Sequence, residues 1–593
     1  MKAQYNGKKL RYGSSGLILS SAVIAAVILL NVFVSALAER FSWMYLDMTP
    51  EDLYSITDDC FDLIEKEAIP AIDEMRKFNQ QYNASEGKNL PDVKEDIAGE
   101  TQASNGTFVP RDENVKIVIY FMDDEDVLLE NSYMRYVIRS TQEIVNKFPE
   151  YFSMKYINID KNPSAVQKFL TTTLTTMSKT SVVIECGTEF RTLQLSRFFT
   201  QDPTTQEIWA YDGEKQLSSA ILAITRAESP VCLIDMAHGE AFYDTQFLYT
   251  IEDAGFQLAM ADSYLTTESI EKVEKEYGAD VRLFLIYNPT SDFLVKSTTA
   301  SGAAISDIDE IEALDKFLDG KSSLMVFMSP SSPVLPNLEE YLEEWGIAFD
   351  RHTDGVNNSG YMIKDAANSL TSDGHTVVSE YVTTGMGGQL TTTMRSVSFP
   401  KKVIFRNAMS IRYSDTFEKT AYDPTDNEIE AEGEVYYYGN HFGNGVSRSI
   451  YDMFVTAPSA VAMAGGKEVA AADEYERFRL MTVSCELRST QENNYSNPLQ
   501  ENSYVIACGS TEFATAGFLQ SAVYGNTDLL LSALSVVAKE PVPVGIVLKP
   551  FGDYTIDSIT TAGATAWTIC LAVIPAATAL VSGVVVLVRR KYA

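Results

Sequence analysis

Residues 229–256, SPVCLIDMAHGEAFYDTQFLYTIEDAGF, decide the fold of this 593-residue chain. An apolar run at 231–234 predicts a buried strand, and the turn after it carries His238-Gly239-Glu240. A helical pattern follows and ends at Gly255, where a C-terminal cap is expected. Its apolar positions are Phe242, Phe247, Leu248 and Ile251. The segment therefore predicts a strand–turn–helix that opens an α/β domain, with the turn at the carboxyl edge of the sheet, where ligands bind.

Alternating strand and helix patterns continue downstream of this segment. Parallel sheets with helices on both faces show this alternation. The segment 351–500 breaks it, because it is rich in Thr, Tyr, Gly and Asn and holds short strand-like pieces such as KKVIFR (401–406) and EVYYYG (434–439). We therefore expect a parallel-sheet domain over 229–350 and 501–545, with a β-rich insertion at 351–500. The predicted strands are 281–287, 322–328 and 503–510, and the predicted helices are 307–319, 337–345 and 526–538.

An upstream domain is predicted over 111–228. Its order is strand, helix, strand, hairpin and helix, which is the order of a thioredoxin-like fold. The redox cysteines of that fold are absent, because Met122-Asp123-Asp124-Glu125 occupies the loop after the first strand. We expect this domain to be a scaffold. The predicted strands are 115–121, 154–160, 181–186 and 189–195, and the predicted helices are 131–148 and 214–227.

Both ends of the chain predict membrane anchoring. Residues 17–38 and 567–588 are uncharged and long enough to cross a hydrocarbon core of about 30 Å. The basic tails 1–16 and 589–593 place both termini in the cytoplasm. Ala36-Leu37-Ala38 resembles a signal-peptide cleavage site, but the apolar run is longer than a signal peptide needs, so we favour an uncleaved anchor. A juxtamembrane helix and linker (39–110) and a return segment (546–566) join the spans to the ectodomain.

Composition excludes several classes of function. The net charge is −34, and residues 39–566 hold 81 acidic against 40 basic residues, a surface that repels nucleic acid. No nucleotide-binding loop occurs, so any ATP hydrolysis needs another chain. Four scattered histidines show no zinc-type spacing, and we expect no cofactor. The six cysteines have no CxxC pair and predict buried free thiols, with a disulfide such as Cys186–Cys232 left open.

Four short motifs resemble the GldG family of gliding-motility-associated ABC-transporter auxiliary proteins. They occur in the family's order: GEKQLSSAILAIT (213–225), the strand and turn at 229–256, ACGSTEF (507–513) and YGNTDLLLSAL (524–534). Ala237 departs from the pattern, since the family usually has Gly there. The resemblance implies an amidotransferase-like fold for the second domain and a non-catalytic auxiliary subunit in a bacterial cell membrane. It also implies ABC ATPase and permease subunits as partners.

The candidate site lies in two turns at one sheet edge. His238, Gly239 and Glu240 form the first turn, and Ser510 and Glu512 in the second are expected to face it. The site would bind an envelope glycan, a peptide or a partner loop. The alternative is structural, with Gly239 permitting a tight turn while His238 and Glu240 cap the next helix or form hydrogen bonds to neighbouring loops.

Two other functions stay open. An envelope hydrolase would need a nucleophile such as Ser291 or Ser510 beside His238, but no Gly-x-Cys-x-Gly or Gly-x-Ser-x-Gly elbow is present. We therefore expect no catalysis. A free-standing glycan- or peptide-binding ectodomain is the other alternative.

Overall fold

The computed structural model describes most of the region between the two terminal segments. The chain divides into two units, Met1–Lys549 and Pro550–Ala593, and the architecture below belongs to the first. The described residues are 29, 53–85, 110–170, 177–201, 207–226, 229–298, 304–319, 322–353, 358–395, 400–421, 436–443, 446–489, 500–521, 523–538, 542–543, 546, 548–551 and 589.

Helices and strands alternate over most of the described chain. The α-helices are α1 (Asp58–Leu63), α2 (Ile69–Ala84), α3 (Glu125–Glu130), α4 (Ser132–Lys147), α5 (Gly213–Thr225), α6 (Gln246–Asp253), α7 (Thr267–Tyr277), α8 (Glu310–Asp319), α9 (Pro336–Glu344), α10 (Gly385–Leu390), α11 (Thr392–Arg395), α12 (Ala516–Leu519) and α13 (Asn526–Ala538). Other helical elements of the described residues are a π-helix (Ile64–Ala68) and 3₁₀ turns (Pro163–Phe169, Leu195–Phe198, Glu512–Ala514).

The strands fall into one large sheet and several small ones. The first half of the chain holds β1 (Ile117–Phe121), β2 (Phe152–Tyr156), β3 (Val182–Cys186), β4 (Glu189–Leu193), β5 (Phe199–Gln201), β6 (Ile208–Tyr211), β7 (Val231–Asp235), β8 (Gln257–Ala261), β9 (Val281–Tyr287), β10 (Ser297–Thr298) and β11 (Ala304–Ser306). The second half holds β12 (Ser323–Phe327), β13 (Ile347–Phe349), β14 (Arg351–Thr353), β15 (Asn358–Gly360), β16 (Met362–Lys364), β17 (Thr376–Val378), β18 (Glu380–Tyr381), β19 (Ile404–Arg406), β20 (Ile411–Tyr413), β21 (Glu418–Ala421), β22 (Tyr436–Gly443), β23 (Val446–Val455), β24 (Val461–Ala464), β25 (Lys467–Ala471), β26 (Arg479–Ser489), β27 (Gln500–Cys508) and β28 (Lys549–Pro550).

The large sheet combines a parallel half with an antiparallel half. Its order is β21-β22-β23-β26-β27-β12-β9-β7-β8. The five strands from β27 to β8 are parallel to their neighbours, and β26, β23, β22 and β21 continue the sheet with antiparallel pairing. The carboxyl ends of β7, β9, β12 and β27 therefore meet at one edge.

Helices cover both faces of the parallel half. Successive side chains of a strand point to opposite faces, so each apolar strand needs a partner on both sides. In β7, Cys232 and Ile234 pack on one face with α6 and α13, whereas Val231 and Leu233 pack on the other with α7, α8 and α9. This arrangement matches the doubly covered sheet that the alternating pattern predicts. The chain is thus of mixed α/β class.

A separate four-stranded sheet lies upstream, with the order β2-β1-β3-β4. β1 is parallel to β2 and antiparallel to β3, and β3 and β4 form a hairpin through Gly187, whose φ is +63°. Helix α4 connects β1 to β2, and α5 follows the hairpin after β5 and β6. The predicted elements occur in the predicted order, and α3, β5 and β6 are additional to them.

Helix α5 joins this small sheet to the large one. All thirteen of its residues are buried. Ser219 Oγ donates to the backbone oxygen of Asp253, and Arg226 Nη1 donates to that of Ala254 at 2.8 Å. Gly255 has a φ of +91° and lies against Arg226, so a Cβ at this position would be 1.7 Å from Nη1. The end of α6 is therefore fixed against α5.

Several predicted boundaries are wrong for identifiable reasons. The predicted strand 154–160 is observed as Phe152–Tyr156, because its partner β1 ends at Phe121. The helix predicted from Phe242 begins only at Gln246, since Phe242 stacks on Tyr287 at 4.6 Å. Strands of the segment 351–500 are hydrogen-bonded into the large sheet, so the sheet is continuous through it.

The predicted membrane spans, 17–38 and 567–588, lie outside the described residues except for Leu29. Among the helices that the structure describes, none is long and apolar enough to cross a membrane. The five described cysteines (60, 186, 232, 485 and 508) are free thiols, so Cys186 and Cys232 are not bonded to each other.

Candidate functional site

The turn after β7 holds a buried cluster of one imidazole and three carboxylates. β7 ends at Asp235, and the turn carries His238 and Glu240 next to it. Glu310, the first residue of α8, comes from elsewhere in the chain. All four side chains are buried, with exposed fractions of 2% for Asp235, 1% for His238, 6% for Glu240 and 0% for Glu310.

His238 is held from both sides. Its Nδ1 lies 2.8 Å from Asp235 Oδ2, and its Nε2 lies 3.0 Å from Glu310 Oε2. Phe293 stacks on the ring, with the two ring centroids 4.0 Å apart. Burial alone would lower the pKa of His238, but the hydrogen bonds to Asp235 and Glu310 raise that pKa to about 10.

Glu310 connects this cluster to neighbouring loops. Its Oε1 accepts a hydrogen bond from Leu265 N at 2.7 Å, and its Oε2 accepts one from Leu294 N at 2.9 Å. Leu265 follows β8 and Leu294 follows β9, whereas His238 follows β7. One carboxylate therefore fixes the positions of three loops at the carboxyl edge of the sheet.

Glu240 belongs to the same cluster, and its two carboxylate oxygens differ in their hydrogen bonds within the described structure. Its Oε2 accepts a hydrogen bond from His238 N at 2.9 Å. Its Oε1 is buried and receives no hydrogen bond from the described part of the chain. Burial, followed by the negative charge of Asp235 and by contact between the two carboxyl groups, raises the pKa of Glu240 to about 7.

Ser510 and Glu512 lie at the same sheet edge but do not face His238. Ser510 Oγ donates to the backbone oxygen of Arg406 at 2.5 Å. Glu512 accepts from Asn407 Nδ2 at 2.5 Å and pairs with Arg406 at 3.2 Å. β9 and β12 separate β7 from β27, which explains the distance between the two predicted halves of the site.

Other residues connect the two turns. Tyr287 OH donates to the backbone oxygen of Thr511 at 2.7 Å, and Tyr243 OH lies 3.4 Å from Thr511 Oγ1. Asp244 Oδ2 accepts from Ala516 N at 2.7 Å. The two turns form one continuous surface through these contacts, without a direct bond from Glu512 to the first turn.

Neither candidate nucleophile bonds to the His238 ring. The backbone N of Ser291 donates to the backbone oxygen of His238 at 3.0 Å. Both ring nitrogens already contact carboxylates, and Ser510 is engaged by Arg406. The arrangement thus resembles a charge cluster more than a nucleophile–base pair.

The sequence interpretation missed Asp235 and Glu310. Asp235 had a local signal, since Asp235, His238 and Glu240 form an Asp-x-x-His-x-Glu pattern at the end of a strand. Glu310 lies 72 positions after His238, and no local pattern connects the two.

A second feature is a cavity of about 280 Å³ between the hairpin of the small sheet, α5 and α6. Arg191, Gln194 and Gln216 are among its lining residues, and Tyr249 is one-third exposed beside it. Arg197 closes one side by pairing with Glu252 and Asp253.

Comparison with known proteins gives no further identification. No protein-family model matches this sequence, and no curated protein matches it significantly.

Proposed function

We propose that the protein is a non-catalytic, extracytoplasmic auxiliary subunit of an ABC-type transport system, which acts as a scaffold or binding module at the bacterial cell envelope. In this proposal two spans anchor it in the cell membrane with both termini in the cytoplasm. The upstream domain is thioredoxin-like and the sheet domain amidotransferase-like. The ATPase and permease subunits are separate chains.

The proposal that the protein is non-catalytic rests on the contacts of the His238 ring. A general base needs a free ring nitrogen within reach of a nucleophile, and both nitrogens of His238 contact buried carboxylates. Cys508, at the end of β27, is buried, and burial raises the pKa of its thiol to about 12, so it is a poor nucleophile. The transport part is supported by the four motifs that resemble the GldG family.

The test is a pull-down of the tagged full-length protein from its native membrane in mild detergent, followed by mass spectrometry. Stoichiometric recovery of an ABC ATPase and a multi-span permease is expected. Recovery of the protein alone, reproducibly and in several detergents, would contradict the proposal. An envelope hydrolase is tested in parallel, since loss of a measured hydrolase activity in both His238→Ala and Ser510→Ala would favour that alternative.

A free-standing binding ectodomain is the second candidate, because amide, hydroxyl and guanidinium side chains line the cavity beside Tyr249. Amide, hydroxyl and guanidinium groups with a partly exposed aromatic ring suit a glycan or a peptide. Binding of envelope glycan fragments by the isolated full-length protein, weakened in Gln216→Ala, would support it. Unchanged binding in that variant would place the ligand elsewhere.

A further inference from the structure

The cluster after β7 has the donor atoms of a metal site. Asp235, His238 and Glu240 each offer one ligand atom, and these atoms lie within 4.8 Å of one another. An imidazole nitrogen combined with carboxylate oxygens is a donor set that proteins present to first-row divalent metal ions. The short spacing places the three residues at the end of one strand and in the turn after it.

Glu310 is a carboxylate that would not bind the ion itself but would orient the histidine that does. Both of its oxygens accept backbone N–H groups, from Leu265 and Leu294, which keeps the carboxylate in its acceptor role. The 2.8 Å contact between Nδ1 and Asp235 Oδ2 holds a proton in the metal-free chain, and an ion would displace that proton and bind both atoms while Nε2–H donates to Glu310. Metal-binding histidines are oriented by carboxylates in this way.

Glu240 supplies the second, independent indication of a ligand. Its side chain is buried, and its Oε1 receives no hydrogen bond from the described residues. A buried carboxylate oxygen without a donor is costly unless a positive charge or a proton satisfies it. One ligand atom from each of Asp235, His238 and Glu240 therefore lies within reach of a common position, and the unbonded carboxylate oxygen beside it calls for a cation or a proton.

We propose that Asp235, His238 and Glu240 bind a divalent transition-metal ion of the Zn²⁺ or Mn²⁺ kind, through His238 Nδ1 and one oxygen of each carboxylate. Glu310 is a positioning residue that orients the imidazole. The nitrogen donor and the few ligands disfavour Ca²⁺, which takes six to eight oxygen ligands. The ion stabilises the turn at the carboxyl edge. This site is independent of the proposed transport role, so failure of the pull-down leaves it standing.

The experiment uses the full-length chain without a histidine tag. Metal content is measured by elemental mass spectrometry after purification, and melting is then followed after treatment with a chelator and after addition of Zn²⁺ or Mn²⁺. We expect about one ion per chain, a lower melting temperature after chelation, and recovery on adding back one of the two metals, because binding to the native state raises stability.

Glu240→Gln is the decisive variant. The glutamine oxygen still accepts from His238 N, so the fold of the turn is kept, but the second carboxylate oxygen is lost. We expect this variant to lose both the ion and the metal-dependent shift in melting temperature. Glu512→Gln is the matched control, since it removes a carboxylate at the same sheet edge outside the cluster. It should keep the ion and the metal-dependent shift in melting temperature.

Glu310→Gln should weaken metal binding about 10- to 100-fold without abolishing it, as found for outer carboxylates. A wild-type chain with no bound ion and no shift with either metal would overturn the proposal and leave protons as the occupants. A shift that persists unchanged in Glu240→Gln would also overturn it, because the ion would then bind elsewhere.

Discussion

At the residue scale, the structural alternative for 238–240 holds for the tight turn and for hydrogen bonds to neighbouring loops, but not for a helix cap. His238 and Glu240 do not cap the following helix, because α6 begins at Gln246, whose backbone N donates to Asp244 Oδ1 at 2.9 Å. They instead form a buried ionic cluster with Asp235 and Glu310. Gly239 does permit the tight turn, as its φ is +80°.

The need for glycine at position 239 can be tested directly. In Gly239→Ala the new Cβ would lie 2.2 Å from Thr290 Oγ1, which donates to the backbone oxygen of His238. The positive φ alone costs about 1–2 kcal/mol, and displacement of Thr290 adds to it. We expect a clear loss in the free energy of unfolding, measured by urea denaturation.

Gly278→Ala is the control for that variant. Gly278 has a φ of +66° at the end of α7, but no atom lies within 4 Å of the position that its Cβ would take. This variant carries the cost of backbone conformation without the steric clash, so its loss should be smaller. Equal losses in the two variants would show that contact with Thr290 is unimportant.

Tyr287 provides a conservative test of the connection between the two turns. Its hydroxyl donates to the buried backbone oxygen of Thr511 at 2.7 Å. Tyr287→Phe leaves that oxygen with only a long bond from Ala514 N, at 3.4 Å, and we expect a loss of about 0.5–1.5 kcal/mol in the free energy of unfolding. Tyr277→Phe removes a half-buried bond to Leu258 O and should cost less, and the reverse order would contradict the structural interpretation.

At the scale of elements, local sequence patterns predict the bounds of an element correctly when its own residues determine where it begins and ends. β9 and α13 match their predicted ranges, 281–287 and 526–538, because each is an apolar run with clear ends. The end of β2 could not be predicted, since it depends on where β1 ends across the sheet. The same limit applies to Glu310, whose role depends on loops that follow three different strands.

A buried carboxyl group lies just before helix α5, and its ionisation lowers the stability of the fold in a way that a pH series can detect. Asp212 precedes the helix, and burial raises its pKa to about 6, although Lys215 lies 3.7 Å away and opposes the shift. A carboxyl group with a raised pKa binds its proton more tightly in the folded state. Its contribution to stability is therefore complete below about pH 4 and is lost as the pH rises through 6.

We accordingly expect Asp212→Asn to change the pH dependence of unfolding. Relative to wild type, the variant should gain stability between about pH 4 and pH 7, by about 1.4 kcal/mol for each unit of the raised pKa. Chemical denaturation at several pH values measures this. Asp473→Asn is a control of opposite sign, because backbone hydrogen bonds from Glu476 and Tyr475 lower the pKa of that exposed carboxyl group. A parallel pH dependence for wild type and Asp212→Asn would contradict the prediction.

At the scale of the whole molecule, the long-range pairing of β26 is what sequence patterns could not reveal. The composition of the segment 351–500 indicates β structure, but it does not say which strands the segment joins. β26 pairs with β27 over nine residues, from Met481 opposite Cys508 to Ser489 opposite Gln500. Its buried residues Met481 and Val483 belong to the same core as Phe327 of β12. The antiparallel half is therefore an extension of the parallel half.

Hydrogen exchange can test this continuity, since strands that unfold together exchange together. We expect the backbone amides of β26 to exchange as slowly as those of β12 and β27, followed by mass spectrometry of the full-length chain. β25 is the internal control, because all five of its residues are exposed and it pairs within a small sheet, so it should exchange faster. If β26 exchanged at the rate of β25 while β12 stayed protected, the segment 351–500 would unfold on its own, as a separate unit would. Slow exchange in β26, β27 and β12 would instead mean that the segment 351–500 and the parallel half unfold together. The site at the carboxyl edge would then depend on both parts of the sheet.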